Sequence, residues 1–193
     1  MARDRAARPE ARSLRLFVAI RVSAEADAAV ERAVEPLRSN FPKPRWVPRE
    51  NRHVTAKFLG QTWPRLGTWV QEQVGEAAAS CRSFETRLTE LGAFPARGKA
   101  RVLWVGLDDR AGRMAEVAHA LDAALAKEFK PEAHAFSPHL TIARSDPPLA
   151  LPDGYPETPI EPVAFRVERI TLFRSHLQRP APRYEALAEF PLG

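Results

Sequence analysis

The chain has little with which to staple itself or clasp a metal. Its 193 residues include one cysteine, Cys81, which rules out an internal disulfide and a thiolate cage and predicts a reducing compartment. No apolar run approaches the roughly 20 residues of a membrane-spanning helix. The opening stretch, Met1 to Ser13, alternates arginine with Asp4 and Glu10 and lacks the apolar segment of a signal peptide. It is expected to be a disordered tail, and the chain to be cytoplasmic. Glycine is sparse, at 9 residues, and none of it forms a phosphate-cradling loop. No acidic pair stands at metal-ligand spacing, so neither a metal nor another cofactor is expected.

Apolar residues at 45% and charged residues at 27% are ordinary proportions for a globular chain, so a packed core is expected. The length suits one domain or two small lobes sharing that core. A net charge of +5 favours an anionic partner, with nucleic acid the first candidate. The same excess also fits codon bias in a GC-rich genome, because arginine supplies 24 of the 29 basic residues. Charge alone therefore selects no function.

One short pattern occurs twice: His53-Val54-Thr55-Ala56 and His139-Leu140-Thr141-Ile142. In a strand, residues i and i+2 point to the same side. Each copy thus offers an imidazole and a hydroxyl on one face and two apolar side chains on the other. Two such strands beside one cleft set two imidazoles against a shared ligand. With an ordinary pKa near 6.5, one ring can be neutral and the other charged close to neutrality. That pairing suits acid–base chemistry on a phosphodiester.

The chain in order predicts a strand over 14–22, then a helix over 24–39 capped by Ser23. The first histidine strand spans 51–59 and ends at Gly60. A helix over 64–80 comes next, then strands over 84–94 and 101–107 joined by a hairpin loop. A third helix covers 110–129 and is stopped by Pro131. The second histidine strand covers 138–144. A proline-rich loop over 146–162 leads to one long strand over 163–173, and a last strand covers 183–190. The fold expected is α+β, with two pseudo-symmetric lobes, each an antiparallel sheet backed by helices, and a central cleft carrying both histidine motifs. Residues 14–193 are read as a single two-lobed domain.

His53 to Gly60 and Pro138 to Arg144 together resemble the paired signatures of the two-histidine phosphoesterases, in particular the RNA 2′,3′-cyclic phosphodiesterases, also called 2′-5′ RNA ligases. Weaker likenesses lie at Arg15 to Ile20, Arg45-Trp46-Val47, Leu91 to Pro95, Arg101 to Val105 and Leu172 to Ser175. The resemblance covers nearly the whole chain. It implies that His53 gives a proton and His139 takes one; the residues themselves leave that order open. It also implies that Thr55, Thr141 and Arg144 hold the phosphate. Arg144, five positions after His139, falls on the wrong side of a regular strand unless a bulge re-aims it. Lys57 shares the parity of His53 and Thr55, as a charge in the cleft or on its rim. His119 reads as half-buried helix packing, and His134 and His176 as solvent-facing. Phe17, Trp46, Phe136 and Tyr184 are candidates to stack on a base, although for each alone core packing is the better explanation.

The activity implied is a metal-independent opening of 2′,3′-cyclic phosphate RNA ends to 2′-phosphomonoesters by a monomer, with 2′-5′ ligation as a side activity. Its partners are RNA ends or small cyclic-phosphate nucleotides, with no membrane. Two other classes compete. One is a non-catalytic module that binds RNA ends. The other is a metallohydrolase ligated by His53 and His139, which lacks a convincing third ligand.

Overall fold

Short apolar alternations punctuated by proline and glycine produce nine strands and three α-helices over residues 13–193, the range described by this computed structural model. The expected tail over 1–13 lies, apart from Ser13, outside the described residues. The strands are β1 Leu14–Ile20, β2 Arg45–Trp46, β3 Val54–Thr62, β4 Phe84–Phe94, β5 Ala100–Leu107, β6 His139–Leu149, β7 Ala164–Val167, β8 Arg169–His176 and β9 Arg183–Pro191. The helices are α1 Ala24–Asn40, α2 Gly67–Ser80 and α3 Arg113–Leu125. Ser23 starts α1 by accepting the Ala26 amide at 3.1 Å, with Glu25 and Asp27 in the first turn, where the helix dipole favours acidic groups. Asp109 does the same for α3, accepting the Met114 and Ala115 amides at 2.8 and 3.0 Å. Gly112, at φ +67°, sets the turn just before α3, so that helix begins later than the expected Arg110, and it ends at Leu125, short of the expected Phe129.

Every strand pairing is antiparallel, in the order β7-β4-β5-β6-β3-β1-β8-β9, with β2 added on β6. The order splits into two halves of four strands. In one, β5-α3-β6 leads to the second histidine motif; in the other, β1-α1-β3 leads to the first. This is the pseudo-symmetric α+β arrangement that the sequence predicted. The halves meet at one residue pair, Val54 opposite Leu140. Glu168 alone separates β7 from β8, strands near opposite ends of the order. One residue spans only about 3.3–3.6 Å, so the sheet must curl. One face carries the helices: Leu16, Val18, Ile20, Val54, Val105, Leu140 and Ile142 pack there with Val30, Val34, Val74, Val117 and Leu121. The other face is open and holds a small cluster of Phe17, Ala19 and Phe173 with Tyr184.

Several boundaries differ from expectation for identifiable reasons. Gly60 does not end β3; at φ +64° it lets the strand shift register and continue to Thr62. β6 runs on to Leu149, where Leu149 pairs with Ala100, so the proline-rich loop starts later. The alternating run over 163–173 is two strands, not one. β7 pairs with β4, while β8 lies between β1 and β9. Alternation reports a half-buried face but not which neighbour supplies the hydrogen bonds.

Leu140 is fully buried at the junction of the halves. Leu140→Ala should cost about 2–5 kcal/mol of stability through the cavity it leaves, read as a fall in the urea midpoint, with the side chains of His139 and Thr141 untouched.

Candidate active site

Both motif histidines stand at the mouths of their strands, on the open face. Each ring is held in the same way. The His53 Nδ1–H donates to the Asn51 carbonyl oxygen at 2.8 Å, and the His139 Nδ1–H to the Ser137 carbonyl oxygen at 2.8 Å. A carbonyl only accepts, so the proton of the neutral ring sits on Nδ1 and the lone pair on Nε2. The backbone two residues upstream thus fixes the reactive nitrogen of each imidazole. Continuing the register of Val54 with Leu140 sets His53 beside Thr141 and Thr55 beside His139.

A register shift interrupts each strand just past its motif threonine. Ala19 pairs with Thr55 and Val18 with Lys57, leaving Ala56 as an extra residue. Trp104 pairs with Thr141 and Leu103 with Ala143, leaving Ile142 as an extra residue. Each bulge reverses the parity of the residues beyond it. Arg144 is thereby returned to the face of His139 and Thr141, as its expected role required. Lys57 is turned the other way. It is buried, its Nζ 2.5 Å from Asp122, and both side chains lie in the wall of the cavity that holds His139. Phe58 takes the open-face position instead and is 55% exposed.

Thr55, Thr141, His139 and Arg144 line one cavity of about 560 Å³, together with Phe58, Phe94, His119, His134 and Phe136. His53 lines an adjoining hollow of about 330 Å³ with Arg21, Phe173 and Tyr184. A small hollow shares Arg144 with the first and Tyr184 with the second. Aromatic rings frame both imidazoles. Phe17 lies 4.8 Å from His53 and Tyr184 meets it edge-on at 5.3 Å, while Phe94 meets His139 edge-on at 5.1 Å. Of the base-stacking candidates, Tyr184 and Phe136 line these hollows, Phe17 is buried against His53, and Trp46 lies beside Arg144 in the small hollow. His119 is exposed on the cavity wall rather than packed. His134 is exposed on the same wall. His176 is half-buried and bonded to Glu185 at 2.6 Å.

Both rings are held neutral at pH 7. Burial, reinforced by the positive charges of Arg144 and Arg21 and by His139 whenever that ring is protonated, pushes the His53 pKa down to about 4. Burial and Arg144 also lower that of His139. Burial raises the Tyr184 phenol. The site therefore sets two neutral imidazoles, with Nε2 lone pairs, beside the cation of Arg144. Sequence reading missed Phe58 and Phe94, plain strand aromatics, and Asn51, whose side-chain amide donates to the Pro182 carbonyl at 2.6 Å and ties the His53 support to the turn before β9. The two supporting carbonyls carry no side-chain signal at all.

The family model described as the 2′-5′ RNA ligase superfamily matches residues 25–179. The chain belongs to that superfamily. An RNA 2′,3′-cyclic phosphodiesterase of Geobacillus stearothermophilus is 31% identical over 91% of this chain and 56% of its own length. The chain thus spans little more than half of that relative. An RNA 2′,3′-cyclic phosphodiesterase of Aeropyrum pernix is 33% identical over 74% of this chain and 83% of its own. The crystal structure of TT0787 from Thermus thermophilus superposes with a TM-score of 0.81 at 27% identity, covering 92% of this chain and 97% of that one. E. coli LigT complexed with 3′-AMP shares the fold, with a TM-score of 0.71 at 24% identity over 93% of this chain and 98% of that one.

For this member of the superfamily, ring titration followed by NMR should find His53 protonating near pH 4 and His139 below the ordinary 6.5, both with the Nδ1–H tautomer when neutral. Inorganic phosphate should move both upward, because a bound anion opposes the charge of Arg144. A His53 ring titrating above 6.5 in the free protein would contradict the environment described.

Proposed function

We propose that this chain hydrolyses the 2′,3′-cyclic phosphate at RNA ends or on small nucleotides to a 2′-phosphomonoester, through two-histidine acid–base catalysis. The observation that carries the reading is the pair of imidazoles, each with Nδ1 tied to a backbone carbonyl: His139 shares a cavity with Thr55, Thr141 and Arg144, and the Val54–Leu140 pairing sets His53 beside Thr141, within the electrostatic reach of Arg144. The names of the Geobacillus and Aeropyrum relatives support the same substrate.

In this reading the Thr55 and Thr141 hydroxyls and the Arg144 guanidinium hold the non-bridging phosphate oxygens. His139, on the wall of the open cavity, takes a proton from water through Nε2 as the water oxygen bonds to phosphorus. The P–O3′ bond breaks, and His53 gives its proton to O3′. The product is a 2′-phosphate with a free 3′-hydroxyl, and the proton has moved from one ring to the other. His53 is neutral in the free protein, so its proton arrives with the substrate: the phosphate anion counters the cationic surroundings that otherwise hold the proton off. A ring of low intrinsic pKa is then a strong acid toward the leaving oxygen. Run forwards with a 5′-hydroxyl in place of water, the same steps open the cyclic phosphate into a 2′-5′ linkage with a free 3′-hydroxyl, a side activity.

Among the described residues no group of three His, Cys, Asp or Glu is arranged to hold a metal ion, and no helix is long and apolar enough to cross a membrane. The reading takes residues 14–193 as one two-lobed domain acting as a cytoplasmic monomer.

The test is a product assay on RNA ending in 2′,3′-cyclic phosphate, in excess chelator, resolving 2′- from 3′-phosphate. The 2′-phosphate should accumulate at an undiminished rate. His53→Ala and His139→Ala should each lose about 10²–10⁴-fold in kcat, with an unchanged thermal transition. Binding without turnover by the wild-type chain would favour a non-catalytic module. The kcat/KM profile should be bell-shaped with its centre below pH 6.5, since both rings of the free protein titrate below their ordinary value; a flat profile from pH 5 to 9 would remove the two-imidazole mechanism.

A further inference from the structure

Residues 130–138 form the wall of the main cavity and lead directly into His139. They contribute His134, Phe136 and Ser137 to the lining, and Ser137 supplies the carbonyl that fixes the His139 ring. Yet among the described residues no backbone–backbone hydrogen bond involves 130–138. Pro131 and Pro138 bracket the stretch and lack the N–H to make one. Something else must define its path.

The tie is made at its start by two side chains from other elements. Lys57 comes from β3, turned through the sheet by the Ala56 bulge. It is 2% exposed, and its Nζ donates to the Lys130 carbonyl oxygen at 2.7 Å while lying 2.5 Å from Asp122. Asp122, from α3, accepts the Glu132 amide at 3.1 Å on its other oxygen. Both ends of the Lys130–Glu132 stretch are thus held, one by the cation and one by the carboxylate, and the two side chains pair with each other. A buried ion pair is retained at considerable desolvation cost, which hydrophobic residues of similar size would avoid. Its hydrogen bonds to the segment give this one a task.

We propose that Lys57 and Asp122 are positioning residues: a buried clamp that fixes the 130–138 wall and, through the Ser137 carbonyl, the orientation and tautomer of His139. Neither side chain touches the reacting atoms. The proposal deepens the catalytic reading of His139, but its main readout does not require activity. His53 provides an internal control. Its supporting carbonyl belongs to Asn51, which is anchored separately to Pro182.

The experiment uses the full chain with both charges replaced, Lys57→Met with Asp122→Leu, so that no unpaired ion is left buried. The two ring tautomers are read by 15N NMR and kcat is measured on a nucleoside 2′,3′-cyclic phosphate. The variant should keep its circular dichroism spectrum and a cooperative thermal transition. His53 should remain the Nδ1–H tautomer, while His139 becomes a mixture of tautomers and kcat falls about 100-fold, as expected for a misplaced catalytic group. An unchanged His139 tautomer overturns the proposal, whether or not kcat falls. Amide exchange in the wild-type chain gives a second measurement if the variant does not fold. The Glu132 amide, bonded to Asp122, should exchange slowly within an otherwise irregular stretch; exchange as fast as an open loop overturns the clamp. A wild-type chain with no turnover but with these two signatures would sink the proposed function and leave the clamp standing.

Discussion

A single antiparallel pairing, Val54 against Leu140, holds the two halves of the sheet together and decides everything at the cleft. Both side chains point into the helix-covered core. Their neighbours His53, Thr55, His139 and Thr141 must therefore point the other way. A slip of one residue in either strand would bury that strand's imidazole in the core and expose its apolar set. The hydrophobic effect thus fixes the facing of the polar residues, although none of its contacts involves them. The two halves need no further pairing between β3 and β6; where the strands part, the cleft opens.

Around that junction one local design is used twice. The motif ends in a bulge, and the backbone two residues before the histidine accepts its Nδ1 hydrogen. The consequence is chemical. Two neutral rings with outward lone pairs share a neighbourhood with Arg144, which depresses the proton affinity of both. In the proposed reaction an anion bound here would raise the proton affinity of both rings, so that binding the phosphate and charging His53 would be coupled.

Much of this was legible in the residues. The period-2 alternation of Val54-Thr55-Ala56 and of Leu140-Thr141-Ile142 fixed which side chains faced outward, and the repeated motif pointed to a two-lobed sheet. Ser23 marked the start of α1. Long-range partners were not legible. The run over 163–173 alternates without interruption, yet its two parts pair with different strands on either side of Glu168. Nor could residues show where the bulges fall, because Ala56 and Ile142 look like ordinary strand positions. His119 departs from expectation for a related reason: its helix neighbours are apolar, but that side of α3 is left open to the cavity.

The bulges explain why one parity rule failed for two residues in opposite senses. Counting by twos put Arg144 outside the cleft and Lys57 on its open face; one inserted residue in each strand brings Arg144 beside His139 and turns Lys57 down against Asp122 in the cavity wall. The outcome has a physical logic. In the proposed phosphate contact a guanidinium would gain from its planar donor fork. An ammonium, compact and able to donate to three acceptors, suits a closed site where a carboxylate and a carbonyl converge. That site is where the chain leaves a helix for a segment without a hydrogen-bond ladder of its own. A wall with no backbone partners of its own takes its shape from side chains beneath it, and here the strand that carries the first histidine supplies the cation that braces the approach to the second.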